Sequence, residues 1–123
     1  MYTPQVIEHY ENPRNVGTIT DADGAATVGS PANGEMLKLT LKVINNVIVA
    51  AKFRAFGCPT AIASASVLTE MVTQSSVREA LQLTAVQLSD ALGGLPEDKK
   101  RYAAAAEEVL KTAIADFMSK TEG

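Results

Sequence analysis

Cysteine and histidine, the side chains best suited to act as nucleophile or metal ligand near neutral pH, occur once each, as Cys58 and His9. Cys58 stands in the stretch FRAFGCPTAIASASVLTEM (53–71), after Gly57 and before Pro59. Proline suits the first position of a helix, where its missing N–H is no loss. Cys58 is therefore expected at a helix N-cap or just before it, where free N–H groups and the helix dipole favour negative charge. Such a place lowers a thiol's pKa and yields the thiolate, the form that attacks electrophiles and binds metals. A free cysteine is also among the most buried residue types, and an inert, buried Cys58 accounts for the local sequence equally well. Ala61, Ala63, Ser64, Ala65 and Ser66 would let the helix that follows lie close against a neighbour.

Other chemistries fail on residue counts. His9 is far from Cys58 in sequence, so the sequence gives no Cys/His catalytic pair. With no second histidine to join it, His9 reads as a surface or interface residue. There is no zinc-finger spacing and no phosphate-cradling G-x-x-x-x-G-K-[ST] loop, and Gly93-Gly94 reads as a helix stop. A net charge of −3 and a pI near 5.1 argue against a nucleic-acid surface. A single cysteine excludes an internal disulfide and fits a reducing cytoplasm. The opening MYTPQVIEHYENPRN lacks the basic lead and apolar run of a signal peptide. No stretch reaches the ~20 apolar residues of a membrane span. At 123 residues, 46% hydrophobic and 20% charged, the chain is expected to form one cytoplasmic domain over 1–123.

The elements that must position Cys58 follow from the hydrophobic pattern. Residues 4–11 read as a short helix capped by Thr3 and ended by Asn12-Pro13. Residues 12–26 are rich in Gly, Asn and Asp and read as a loop, with a weaker strand signal at 25–30. Between 36 and 44, Leu37, Leu39, Leu41 and Val43 alternate with polar residues, the pattern of a half-buried strand. Asn45-Asn46 suits a tight turn. A second strand over 47–56 would set Val47, Val49, Ala51, Phe53 and Ala55 on one face and deliver the chain to Gly57-Cys58. Ser76–Glu79 and Thr84–Gln87 both match a capping box, and Gly93 would stop the second helix. A last helix from 97 or 98 to 118 carries Tyr102, Ala106, Val109, Leu110, Ala113, Ile114 and Phe117 at helical spacing, with residues 119–123 expected to fray. The fold class expected is α+β, a small three-stranded antiparallel sheet with helices packed on one face.

Several separated segments then carry a family resemblance: HYENPRNVG at 9–17, SPANGEMLKL at 30–39, AKFRAFGCPTAIASASVLTEMV at 51–72, LGGLPEDK at 92–99 and AIADF at 113–117. Along most of its length the chain resembles the NifU N-terminal/IscU family of iron–sulfur cluster assembly scaffolds. The resemblance implies three cysteines around a shallow site, with a carboxylate beside the first in an Ala-Cys-Gly-Asp segment. Here that segment reads Ala32-Asn33-Gly34-Glu35. The second cysteine is Cys58, and at the histidine–cysteine pair of the third stand Arg101 and Tyr102. The residues so assigned to the cofactor site are Cys58, Glu35, Asn33, Tyr102 and Arg101, with Cys58 as the metal ligand among them. Leu95, Pro96 and Lys99 match part of a motif that resembles a docking site for a dedicated heat-shock chaperone, while Glu97 and Asp98 depart from it.

The departures have physical consequences. One thiolate cannot replace the usual set around cluster iron. Asparagine is a weak neutral ligand, tyrosine ligates only as phenolate, and arginine not at all. Such a set does not suit tight zinc binding either. A fixed charge on Arg101 would repel a metal, favour a thiolate or bound anion, and pair with Glu35. The resemblance implies a scaffold that accepts sulfur or iron at Cys58 from a cysteine desulfurase, or a homo-oligomer whose subunits share a cluster. The departures point instead to a cluster-free relative acting as a binding or regulatory module, or to a small-anion site with Arg101 and Tyr102 as donors.

Overall fold

A computed structural model describes residues 2–30, 32 and 34–121 of the chain. Helix α1 (Pro4–Glu11) opens as expected, with the Thr3 hydroxyl accepting from the Val6 N–H and donating to the Leu92 carbonyl. Strands β1 (Gly24–Ser30), β2 (Glu35–Ile44) and β3 (Val47–Phe56) form one antiparallel sheet in the order β1-β2-β3. Asn45 and Asn46 turn the β2–β3 hairpin with φ of 52° and 62°, a left-handed conformation that asparagine tolerates. Leu37, Leu39 and Leu41 point into the core as their alternation predicts.

Strand β3 departs from that alternation. Ile48 is fully buried, while Val47 and Val49 are half-buried. The register explains it: Leu41 pairs with Ala51 and Lys42 with Ala50, but Val43 pairs with Ile48, across an irregularity between Lys42 and Val43. The extra residue of a bulge reverses which side chains face inward.

Helix α2 (Pro59–Val72) packs against α1, β3 and α5, and Ala63, Ser64, Ala65 and Ser66 are fully buried along it. Their small side chains allow that close approach. Of the surface or interface placement expected for His9, the surface part is corrected: His9 is 9% exposed at the contact of α1 with α2, with Nδ1 2.8 Å from the Ser66 Oγ. The small Ser66 leaves room for the imidazole between α1 and α2 and supplies its polar partner.

Helices α3 (Val77–Ala80) and α4 (Ala85–Ala91) both start at complete capping boxes, and Gly93 follows α4 at φ 84°. A 3-10 turn at Glu97–Lys99 leads into α5 (Lys100–Thr121), which runs past the expected end at 118. The segment from 119 that was expected to fray is helical as far as Thr121, and Glu122 and Gly123 lie outside the described residues. Helix α5 covers β1 and β2, with the Asp116 carboxylate accepting from the Ala25 N–H at 2.9 Å. Among the described residues no helix is long and apolar enough to cross a membrane.

Candidate functional site

At the end of β3 the chain passes through Gly57, whose φ of +145° favours glycine, and reaches Cys58 at the N-cap of α2. The cap backbone is extended, and the thiol makes no side-chain capping hydrogen bond. Cys58 is half-buried, not fully buried. Two other elements close the site. The hairpin between β1 and β2 brings Glu35, the first residue of β2, and the start of α5 brings Arg101 and Tyr102.

These three side chains bond to one another. The Tyr102 hydroxyl donates to Glu35 Oε1 at 3.1 Å and accepts from Arg101 Nη2 at 2.6 Å. Arg101 Nη2 also lies 3.3 Å from Glu35 Oε1, forming the ion pair expected from the sequence. The guanidinium carbon lies 4.7 Å from the centroid of the Tyr102 ring. Tyr102 is 7% exposed, so its ring is held by the core while its hydroxyl faces the site. The side chains of Glu35 and Arg101 are much more open, at 46% and 67% exposure.

Burial pushes the Cys58 thiol up, but the Tyr102 hydroxyl, the N–H groups of Ala61 and Thr60 and the charge of Lys99 outweigh it. The net effect holds the thiol below the ordinary cysteine range, as a helix start should. The Tyr102 phenol moves the other way, raised by its interaction with Cys58 and by burial against the opposing effect of Arg101. It therefore stays a neutral donor to Glu35. Arg101 is raised further by Tyr102 and Glu35 and remains a fixed cation.

Asn33 lies outside the described residues. The resemblance gives Leu95 a docking role. Its side chain is 7% exposed within the core and its N–H donates to the Ser89 Oγ at 2.8 Å. Pro96 is exposed, and Lys99 turns its ammonium towards the Tyr102 ring, 6.0 Å from the centroid. The sequence reading gives Lys99 only a docking role, whereas the structure adds its charge to the surroundings of the thiol. Its signal was the i, i+3 spacing to Tyr102 at the start of a helix. A cleft of about 230 Å3 opens beside the cluster, lined by Glu35, Phe56, Ala61, Tyr102 and Glu108 among others.

Among the described residues, no group of three or more His, Cys, Asp or Glu side chains stands together to hold a metal ion. The site offers one activated thiol beside a carboxylate already engaged by a guanidinium and a phenol. That set suits nucleophilic sulfur chemistry better than the ligation of a cation.

Comparison with known proteins bears on the family and the fold. The model of the NifU-like N terminal domain matches residues 1–123. The chain is 44% identical over 120 residues to the iron-sulfur cluster assembly scaffold protein IscU 1 of Archaeoglobus fulgidus, covering 98% of this chain and 78% of that protein. It is 42% identical over 125 residues to the scaffold protein IscU of Escherichia coli, covering 98% and 97%. The N-terminal part of a NifU-like protein from Brucella abortus has a crystal structure that superposes with a TM-score of 0.77 at 18% identity, over 95% of this chain and 94% of that one. At that identity the superposition speaks for the α+β fold alone.

Proposed function

This chain belongs to the NifU-like N terminal domain family, that of the iron–sulfur cluster assembly scaffold proteins, and from that premise we propose that it works as a single-thiol sulfur acceptor in cluster assembly. The observation that carries the reading is the Cys58 thiol at the start of α2, held below the ordinary cysteine range and left without a capping bond of its own. The step is a transfer of sulfane sulfur from a persulfide on a cysteine desulfurase. The Cys58 thiolate attacks the terminal sulfur, the donor's S–S bond breaks, and its electron pair leaves on the donor thiolate. Cys58 then carries the persulfide and the donor thiolate takes up the proton, with no net oxidation. The part played is that of a carrier and not of a catalyst, and a thiolate acceptor suits a reducing compartment such as the cytoplasm.

A cluster held by one chain does not fit the residues present. Cluster iron calls for thiolates, and Cys58 stands alone while Arg101 occupies the Glu35 carboxylate and opposes any cation. The cluster is therefore cargo that other chains complete. The same Glu35–Arg101–Tyr102 clasp favours a second reading, a cluster-free relative that binds partners of the assembly system. Anaerobic incubation with a cysteine desulfurase and cysteine, followed by intact-mass measurement, separates the two. One added sulfur on the native chain and none on Cys58→Ser supports the carrier; an unmodified native chain leaves only the binding module.

A further inference from the structure

The sheet face turned away from the helices is cationic, and among the described residues only one of its four basic side chains has a carboxylate partner. The β2–β3 register sets Lys38 directly opposite Arg54 and Thr40 opposite Lys52, so the three basic side chains point from one face. Lys42, two residues further along β2, shares that face and has a carboxylate neighbour, Asp23, at 3.6 Å. Among the described residues Lys38, Lys52 and Arg54 have none, and Arg54 bonds only to the Thr18 hydroxyl at 3.3 Å. Like charges directly opposite each other destabilise a sheet, and this occurs in a chain whose net charge is −3. The fold therefore carries a local positive patch that its own stability does not call for.

The patch has a direction. On the same face the next cross-strand pair is Met36 and Phe56, and Phe56 is 46% exposed two residues before Cys58. An apolar groove of about 370 Å3 adjoins this end, lined by Val16, Phe53, Arg54, Phe56 and Ile62 among others. We propose that the Lys38–Lys52–Arg54 face is the docking surface for a partner protein with an acidic patch, seated so that an apolar side chain of the partner rests on Met36 and Phe56 beside Cys58. Charge complementarity selects the partner and speeds encounter, while the apolar end fixes register next to the reacting thiol. A protein is favoured over nucleic acid because the cations share their face with exposed apolar side chains and the rest of the chain is acidic.

The test uses a fluorescently labelled peptide of aspartate and glutamate ending in phenylalanine, bound to the full chain and followed by stopped flow and by backbone amide shifts. The expected result is shifts confined to β2 and β3, an association rate that falls steeply with salt, and a loss of about tenfold or more in Lys38→Glu/Arg54→Glu. The neutral variant Lys38→Thr/Arg54→Thr removes the like-charge opposition, keeps the fold, and should also lose binding. Shifts elsewhere, salt-independent binding, unchanged binding by folded variants, or equal binding of a DNA duplex would each overturn the proposal. A chain that dimerises through this face in place of taking the peptide would overturn it as well. Cys58→Ser should bind the peptide unchanged, so failure of the sulfur-acceptor reading and failure of this docking face are read separately.

Discussion

Helix α2 carries Cys58 at its N-cap and Ser66 about 12 Å further along its axis, and the two polar atoms have opposite surroundings. Ser66 is fully buried, accepts from the Arg14 N–H at 2.9 Å and lies 2.8 Å from His9 Nδ1. The other ring nitrogen of His9, Nε2, lies 3.5 Å from Glu70. Partners for that network come from α1, the loop after it and α2 itself. Cys58 is half-buried, and its polar neighbours Glu35, Arg101 and Tyr102 bond chiefly to one another. The lesson is that a polar group whose partners close around it serves the fold, whereas one whose neighbours tune it without capping it is free to react.

Mutation can break this contrast from either side. The largest stability effect is expected from Ser66→Ala, which strips the buried Arg14 N–H and His9 Nδ1 of their partner and should cost about 1–3 kcal/mol in urea unfolding. Cys58→Ser should leave the unfolding midpoint within about 0.5 kcal/mol of the native chain while abolishing sulfur loading. Equal losses of stability at the two positions would erase the distinction.

The His9 network also predicts a pH dependence. Burial, helped by Arg14 and opposed by Glu70 and Glu8, holds the His9 imidazole below its ordinary 6.5. The unfolded chain therefore takes up the proton first, and stability falls as pH drops from 6.5 towards the lower folded value. Above 6.5 the contribution is intact. Urea midpoints measured across that window should show the drop in the native chain and a smaller one in His9→Gln.

Smaller effects are expected around the thiol. Tyr102→Phe removes a hydroxyl that lowers the Cys58 pKa, so the pH profile of thiol alkylation should shift upward. An unshifted profile would mean that the backbone N–H groups and Lys99 suffice. Glu35→Gln breaks an open ion pair and should change stability by no more than about 1 kcal/mol.

Much of this was legible in the sequence, because the cues were local. Thr3, the two capping boxes, Asn45-Asn46 and Gly93 act within a few residues, and each ends or starts an element where expected. The Gly57-Cys58-Pro59 run likewise sets its own geometry, whereas the Glu35–Arg101 pair, 66 residues apart, was reachable only through the family resemblance, which implies that both positions border one site. What could not be read depended on partners distant in sequence. The bulge that turns Ile48 inward is a property of pairing with β2. The burial of His9 requires Ser66 across the α1–α2 contact. Leu95 looks like surface motif in a polar loop, yet its side chain belongs to the hydrophobic core.

The central claim is that Cys58 is a lone sulfur acceptor in a site that opposes iron. Its most direct test counts iron and acid-labile sulfide per chain after anaerobic incubation with ferrous iron, cysteine and a cysteine desulfurase, beside the sulfane sulfur on Cys58. The account predicts sulfane sulfur that depends on Cys58, with neither iron nor labile sulfide retained by the chain. Iron and labile sulfide in matching amounts, bound by the native chain and lost in Cys58→Ser, would contradict it.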